Sequence, residues 1–163
     1  MPAPGRRAGA ALYRGPEPSR SLGPVLDFMR ALWALDHALQ SASKRMEARL
    51  GVTGPQRLVI RIVGRSPGIS AGGLAAVLHL HPSTLTGILK RLEQRAMVER
   101  RPDPADGRRA LLHLTARGRR LDGRRRGSVE AAVRRVLGRL GATPARAARG
   151  FAGALVEELE RGP

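Results

Sequence analysis

Between residues 81 and 95 the chain reads HPSTLTGILKRLEQR, and its side chains sort by type. Leu85, Ile88, Leu89 and Leu92 recur at helical spacing, while Ser83, Thr84, Thr86, Gly87, Lys90 and Arg91 fall outside that stripe. Short hydroxyl side chains and a glycine let the start of a helix come close to a surface of phosphates and base edges, and hydroxyls serve either. Lys90 and Arg91, one turn later, suit a phosphate or a guanine edge. A solvated helix face has the same composition. The segment that follows favours nucleic-acid contact: a loop over residues 102–108, PDPADGR, between two strand-like pieces at 97–101 and 109–114. An arginine at a hairpin tip, Arg108, can enter a narrow minor groove, where the negative potential is enhanced. Asp103 and Asp106 make sense beside DNA as supports for the loop, with Asp106 to Arg108 the expected pair; the competing reading is a weak surface ion pair. Arg109 either contacts backbone or begins the strand. Arg100 and Arg101 flank the loop. His81 is read as a helix cap or a neighbour of the DNA backbone.

Several elements must hold these residues. From Pro24 the apolar residues Val25, Phe28, Met29, Leu32, Leu35, Leu39, Ala42, Met46 and Leu50 keep helical spacing up to Gly51. Leu26 and Trp33 widen the apolar face of this helix at its beginning, as burial on two sides would require; packing within one chain is the other reading. Thr53-Gly-Pro-Gln56 is a capping-box start for a second helix that ends near residues 64–67. Ser70 caps a short third helix with Leu74, Ala75, Val77 and Leu78 inward. A tight turn at Leu80–His81 leads into the 82–95 helix with Pro82 in its first turn. Val98, Leu112 and Leu114 are the inward strand residues. Thr115 then caps a long helix, weakened in its first half by Gly118, Gly123 and Gly127, and Thr143-Pro144 starts the last one. The fold class is mainly α with a small β-wing, a winged helix-turn-helix.

Composition agrees. There are 30 Lys and Arg against 13 Asp and Glu, a formal net charge of +17 that suits a polyanionic partner. Arginine bias can raise bulk charge without function, so placement is the stronger argument. Residues 82–126 hold thirteen basic and five acidic residues, on and beside the candidate DNA-reading element. There is no cysteine, which excludes disulfides and thiolate metal sites. His37, His79, His81 and His113 form no metal-ligand pattern, so neither metal nor cofactor is expected. No apolar run approaches the roughly 18 residues of a membrane helix, and residues 1–24 lack the apolar core of a signal peptide; a cytoplasmic protein without membrane contact is expected. No nucleophile elbow, phosphate loop or metal cluster suggests an enzyme.

The order of elements resembles the MarR (multiple antibiotic resistance regulator) family of winged helix-turn-helix transcription factors. The resemblance is carried by Leu74-Ala75-x-x-Leu78, Leu85-Thr86, Leu92-Glu93 and Met97-Val98-x-Arg100. It continues through Asp103-Pro-Ala-Asp106-Gly-Arg108 and Leu114-Thr115-x-x-Gly118. It implies one domain over 24–163, with a winged helix-turn-helix lobe at 53–115 and dimerisation helices at 24–50 and 116–162. It further implies a homodimer on a pseudo-palindromic double-stranded DNA operator, acting as a repressor and often relieved by a small-molecule effector. Phe28, Trp33, His37 and Arg57 are effector-pocket candidates by position only; dimer-core packing is the stronger reading of Phe28 and Trp33. Two residues depart from the family pattern. Ala96 stands where glycine usually follows the recognition helix, and Gly73 where an acidic capping residue is usual. A nonspecific or architectural nucleic-acid binder is the rival reading.

Residues 1–23 are rich in Pro, Gly, Ala and Arg without a sustained apolar period, and are read as a disordered basic arm. Deleting residues 1–20 should leave the circular-dichroism spectrum and the sedimentation coefficient class unchanged. Loss of the oligomer would make the arm structural.

Overall fold

The computed structural model describes residues 21–162. The elements run α1 (Pro24–Leu50), α2 (Gly54–Arg65), β1 (Ile69–Ser70), α3 (Ala71–Leu78), α4 (Pro82–Gln94), β2 (Val98–Pro102) and β3 (Ala110–Leu114). They continue with α5 (Ala116–Gly123), α6 (Val129–Leu140) and α7 (Ala142–Arg161). The chain divides into two compact units, Trp33–Val129 and a second made of residues up to Leu32 with Glu130–Pro163.

The first unit has one continuous core. Val59, Ile60 and Val63 of α2, Leu74 and Ala75 of α3, and Leu85, Leu89 and Leu92 of α4 meet Val98, Leu112 and Leu114 of the sheet and Leu121 of α5. The sheet is antiparallel with strand order β1-β3-β2. Val98 lies opposite Leu114 and Ile69 opposite Leu112, so the period-2 alternation sends these residues to the core. The two-residue β1 was not expected from the sequence. Val77, expected inward, is 57% exposed. The core-facing stripe of so short a helix is narrow, and Leu74, Ala75 and the half-buried Leu78 fill it.

Local chemistry sets the boundaries. At α2 the expected capping box forms: Thr53 N–H donates to Gln56 Oε1 (3.1 Å) and Gln56 N–H points back to the Thr53 hydroxyl (3.5 Å). Ser70 caps α3 by accepting from Gly73 N–H (3.1 Å). This hydroxyl supplies the cap where an acidic residue is absent at Gly73.

Helices α3 and α4 end alike. Leu80 N–H donates to Ala75 O (3.1 Å) and His79 N–H to Ala76 O (3.2 Å); Met97 N–H donates to Leu92 O (2.9 Å) and Ala96 N–H to Glu93 O (2.8 Å). Each is a Schellman ending whose pivotal residue is left-handed, and neither pivot is glycine: His79 has φ 49° and Ala96 φ 50°.

The Leu114-Thr115-x-x-Gly118 turn explains itself physically. The Thr115 hydroxyl donates to Ala96 O (2.6 Å) and accepts from Gly118 N–H (3.1 Å), so one side chain caps α5 and ties it to the end of α4. Any Cβ at Gly118 would run into the Met97 carbonyl, so only glycine lets α5 approach this closely.

The single long helix expected after Thr115 is two helices. α5 stops at Gly123, Arg124 is extended (φ −74°, ψ 113°), and Gly127 has φ 77°. Glycines at 123 and 127 cost helix about 1 kcal/mol each, and the three consecutive arginines between them repel one another within the gap. α7 likewise begins before Thr143-Pro144, after a positive-φ Gly141.

In the second unit the Phe28 and Phe151 rings lie 4.5 Å apart, tilted by 55°. No residue of α6 or α7 is buried. Val25, Leu26, Met29, Val133, Val136, Leu137 and Leu159 are all exposed. Residues 1–20 of the expected basic arm lie outside the described residues. Residues 21–23 lead into α1, where the Ser21 hydroxyl donates to Asp27 Oδ2 (2.8 Å).

Ala96→Gly should raise stability by about 0.5–1 kcal/mol. It relieves a left-handed alanine worth about 1–2 kcal/mol and gives part of that back as unfolded-chain entropy. Urea denaturation measures it; an unchanged or lowered midpoint would mean that Ala96 is not strained.

Candidate nucleic-acid interface

Leu85, Leu89 and Leu92 bury one side of α4, and Ile88 packs partly beside them. The opposite side carries Ser83, Thr84, Thr86, Gly87, Lys90 and Arg91, all exposed. The sequence-predicted set therefore shares one solvent-facing surface of one helix.

Its first turn is ordered by its own hydrogen bonds. His81 is the N-cap: its Nδ1 accepts from Ser83 N–H (3.4 Å) and lies 2.8 Å from the Ser83 hydroxyl. An accepting Nδ1 belongs to the tautomer protonated at Nε2, so the other ring nitrogen is a donor, as an anion requires. The Thr86 hydroxyl donates to Pro82 O (2.8 Å), which spends its proton and leaves its lone pairs and methyl group to face outward contacts. Pro82 itself removes one N–H that the first turn could not satisfy. Lys90 and Arg91 have no ion-pair partner among the described residues.

The wing loop joining β2 to β3 is held from inside. Asp103 N–H donates to Arg109 O (2.9 Å), Asp106 N–H to Asp103 O (3.2 Å) and Arg109 N–H to Asp106 O (2.9 Å). The two carboxylates complete it: Asp103 Oδ1 accepts from Ala105 N–H (2.9 Å) and Asp106 Oδ1 from Arg108 N–H (3.0 Å). The expected partnership of Asp106 with Arg108 is thus made with the backbone amide and not with the guanidinium. Asx geometry explains the difference, because an aspartate carboxylate readily reaches the backbone amide two residues along the chain. Arg108 and Arg109 are exposed, and the Arg108 guanidinium has no partner among the described residues. Arg100 instead donates to Glu93 (2.7 Å), and Arg101 to Glu99 (2.6 Å).

The positional effector candidates differ in exposure. Trp33 is 66% exposed and His37 is exposed, while Phe28 meets Phe151 in a tilted ring pair within the other unit. Arg57 is 1% exposed, and its guanidinium donates to the carbonyls of Leu121, Asp122 (3.2 Å) and Arg124 (2.7 Å). Leu121 and Asp122 lie in the last turn of α5 and Arg124 directly follows it; Leu121 O also accepts from Arg124 N–H (3.0 Å), so the guanidinium gathers acceptors at the helix C-terminus, where carbonyls lack intrahelical partners. Arg61 adds an ion pair to the Asp122 carboxylate. Arg57 is a positioning residue for α5 in this chain. The sequence carried no sign of this role, since the acceptors lie more than sixty residues away and are backbone atoms.

Comparison with known proteins agrees with the geometry. A family model described as MarR family matches residues 50–109. An HTH-type transcriptional repressor of Mycobacterium tuberculosis is 38% identical over 91 residues, which are 56% of this chain and 66% of the repressor. The chain thus spans just under two thirds of that relative's length. The transcriptional regulator HosA of Escherichia coli O111:H- is 34% identical over 93 residues, covering 56% of this chain and 69% of HosA. The chain belongs to the MarR family. The MepR–DNA complex of S. aureus has the same fold, with a TM-score of 0.67 at 16% identity, over 81% of this chain and 97% of MepR. Against the usual MarR pattern, Ala96 keeps the left-handed backbone that glycine normally supplies. Among the described residues no helix is long and apolar enough to cross a membrane, and no three His, Asp or Glu side chains are grouped to hold a metal ion.

Arg57→Met should cost about 3 kcal/mol in urea denaturation, because it leaves carbonyls that accept from a charged donor without it. Arg57→Lys should recover only part of the loss, since one ammonium cannot reproduce the planar fork. Equal stabilities of the three proteins would show that water replaces the clamp.

Proposed function

We propose that the chain is a dimeric, sequence-specific DNA-binding transcriptional regulator, acting as a repressor and responsive to a small-molecule effector. One observation carries the reading: the exposed face of α4 and the guanidinium of Arg108 at the wing are both unspent, each on a scaffold held by internal hydrogen bonds. Pre-ordered donors bind with less entropic loss than mobile ones. In the proposed mode α4 enters a major groove, with Ser83, Thr84, Thr86 and Gly87 near base edges and phosphates and Lys90 and Arg91 on the backbone. His81 donates to a phosphate, and Arg108 enters the flanking minor groove with Arg109 on the backbone beside it. Asp103 and Asp106 shape the loop and do not touch DNA. That the mycobacterial relative is a repressor supports the direction of control, and the MepR complex supports DNA as the partner.

Dimerisation is supported by the second unit, whose α1, α6 and α7 residues expose Val25, Leu26, Val133, Val136 and Leu159. So many apolar side chains at helical spacing call for a covering surface. A second copy supplies it, and a two-fold axis turns one half-site reader into a reader of an inverted repeat.

Selection of genomic fragments by purified protein, at low and near-physiological salt, tests the reading. Recovery of an inverted repeat with half-sites about one helical turn apart is expected. Enrichment of no sequence, with binding lost as salt rises, would favour a nonspecific nucleic-acid binder. On the recovered operator, Arg108→Ala should weaken binding by roughly 1–3 kcal/mol while the dimer persists; unchanged affinity would remove the wing from the mechanism.

A further inference from the structure

Arginines gather on the unit Trp33–Val129 around the connection between α5 and α6. Residues 123–127 read GRRRG and are all exposed. Gly127 turns the chain at φ 77°, and a Cβ built there would lie 3.8 Å from Arg49 Nη1 and 3.9 Å from Arg49 Cδ. The last turn of α1 thus lays a fourth guanidinium against the Arg124–Arg126 segment. Arg45, one turn earlier on the same face of α1, is exposed as well.

Other arginines of this unit are tied down. Arg57 and Arg61 hold the end of α5, Arg95 donates to Gly51 O, and Arg119 donates to Leu114 O (2.7 Å). By contrast, the guanidiniums of Arg45, Arg49, Arg124, Arg125 and Arg126 have no partner among the described residues. Nearby acids do not offset them. Asp122 is paired with Arg61, and Glu130 belongs to the other unit. Glu47 stands two residues from both Arg45 and Arg49, so it lies on a different side of α1.

Like charges brought together repel one another, and a dense polyanion offsets that repulsion. A DNA duplex carries about one negative charge per 1.7 Å of its axis. The segment Gly123–Gly127 has no apolar or aromatic side chain. A protein interface is anchored by such side chains, and a single-stranded nucleic acid stacks on aromatic rings. We propose that Arg49, Arg124, Arg125 and Arg126 form a second, sequence-independent site for the phosphate backbone of duplex DNA, with Arg45 at its edge. Arg49 lies two residues before Gly51, whose carbonyl receives Arg95 from the C-cap of α4. The patch is therefore set toward the end of α4 opposite to Ser83 and Thr84, a helix length of about 20 Å. It serves phosphates other than those met by the first turn of α4, and adds affinity without sequence choice. It shares with the proposed function only the class of partner.

The test uses the full chain with the reading face disarmed by Lys90→Gln, Arg91→Gln and Arg108→Ala together. A fluorescent duplex of arbitrary sequence is titrated by anisotropy over a range of salt concentrations. We expect the disarmed protein still to bind it, with the logarithm of affinity falling linearly with that of salt. Adding Arg125→Gln and Arg126→Gln should weaken this binding about tenfold at low salt and make the salt slope shallower by about 2; Arg49→Gln should make it shallower by about 1. Removing two exposed charges from α7 instead, Arg146→Gln with Arg149→Gln, should leave the slope unchanged. Arg125→Lys with Arg126→Lys should retain binding, because the phosphates respond to charge, and this separates lost charge from lost folding. No duplex binding by the disarmed protein, an equal loss from the α7 pair, or a single strand bound more tightly than the duplex would each overturn the proposal. Failure of the sequence-specific reading shows elsewhere, as a genomic selection that recovers no repeat, and leaves these titrations unaffected.

Discussion

Burial of Leu85, Leu89 and Leu92 fixes the rotation of α4 about its own axis, and the rest of the interface depends on that rotation. A helix turned by one residue would swing about 100° and put Thr86 or Lys90 into the core. The apolar stripe makes that error expensive, since each leucine side chain contributes roughly 1.5–3 kcal/mol on burial. The outer residues need no interaction of their own to be outside. Their exposure is the complement of a packing decision made on the other face.

Three devices translate this rotation into a placed wing. The Schellman ending at Ala96 reverses the chain within two residues, so β2 starts beside the helix it follows. Thr115 then ties the start of α5 to the same Ala96 carbonyl, and Gly118 makes room for the approach. Arg57 secures the other end of α5 by its carbonyls. The helix is held at both termini by hydrogen bonds that no apolar pattern encodes. A buried arginine is tolerated there because its charge meets several oriented carbonyl dipoles in place of water.

The wing uses the same economy. Its aspartates, at first sight out of place next to a polyanion, are consumed by the amides of Ala105 and Arg108. Their charge fixes backbone, and the guanidinium of Arg108 is left to act outward. Glu93 and Glu99 restrain Arg100 and Arg101 in turn, so the positive side chains around the hairpin divide into tethered and untethered ones.

Much of this was readable from the chain alone. The stripe on α4, the capping box at Thr53, the caps at Ser70 and His81 and the alternation in the strands are short-range patterns, decided by neighbours within about four residues. What went unread is long-range or backbone-directed. The short β1 exists only because β3 pairs with it. Val77 faces outward because a two-turn helix offers the core too little width. The helix after Thr115 divides in two where glycines and repelling arginines accumulate and where Arg57 caps its first part. Arg57 looked like a pocket residue because sequence position cannot reveal carbonyl acceptors more than sixty residues away. Arg49 meets the Arg124–Arg126 segment only once the end of α1 and the end of α5 are brought together. Periodicity by itself determined which face of each helix is apolar; tertiary structure alone decided which polar groups meet, because those partners are chosen by chain crossings in space.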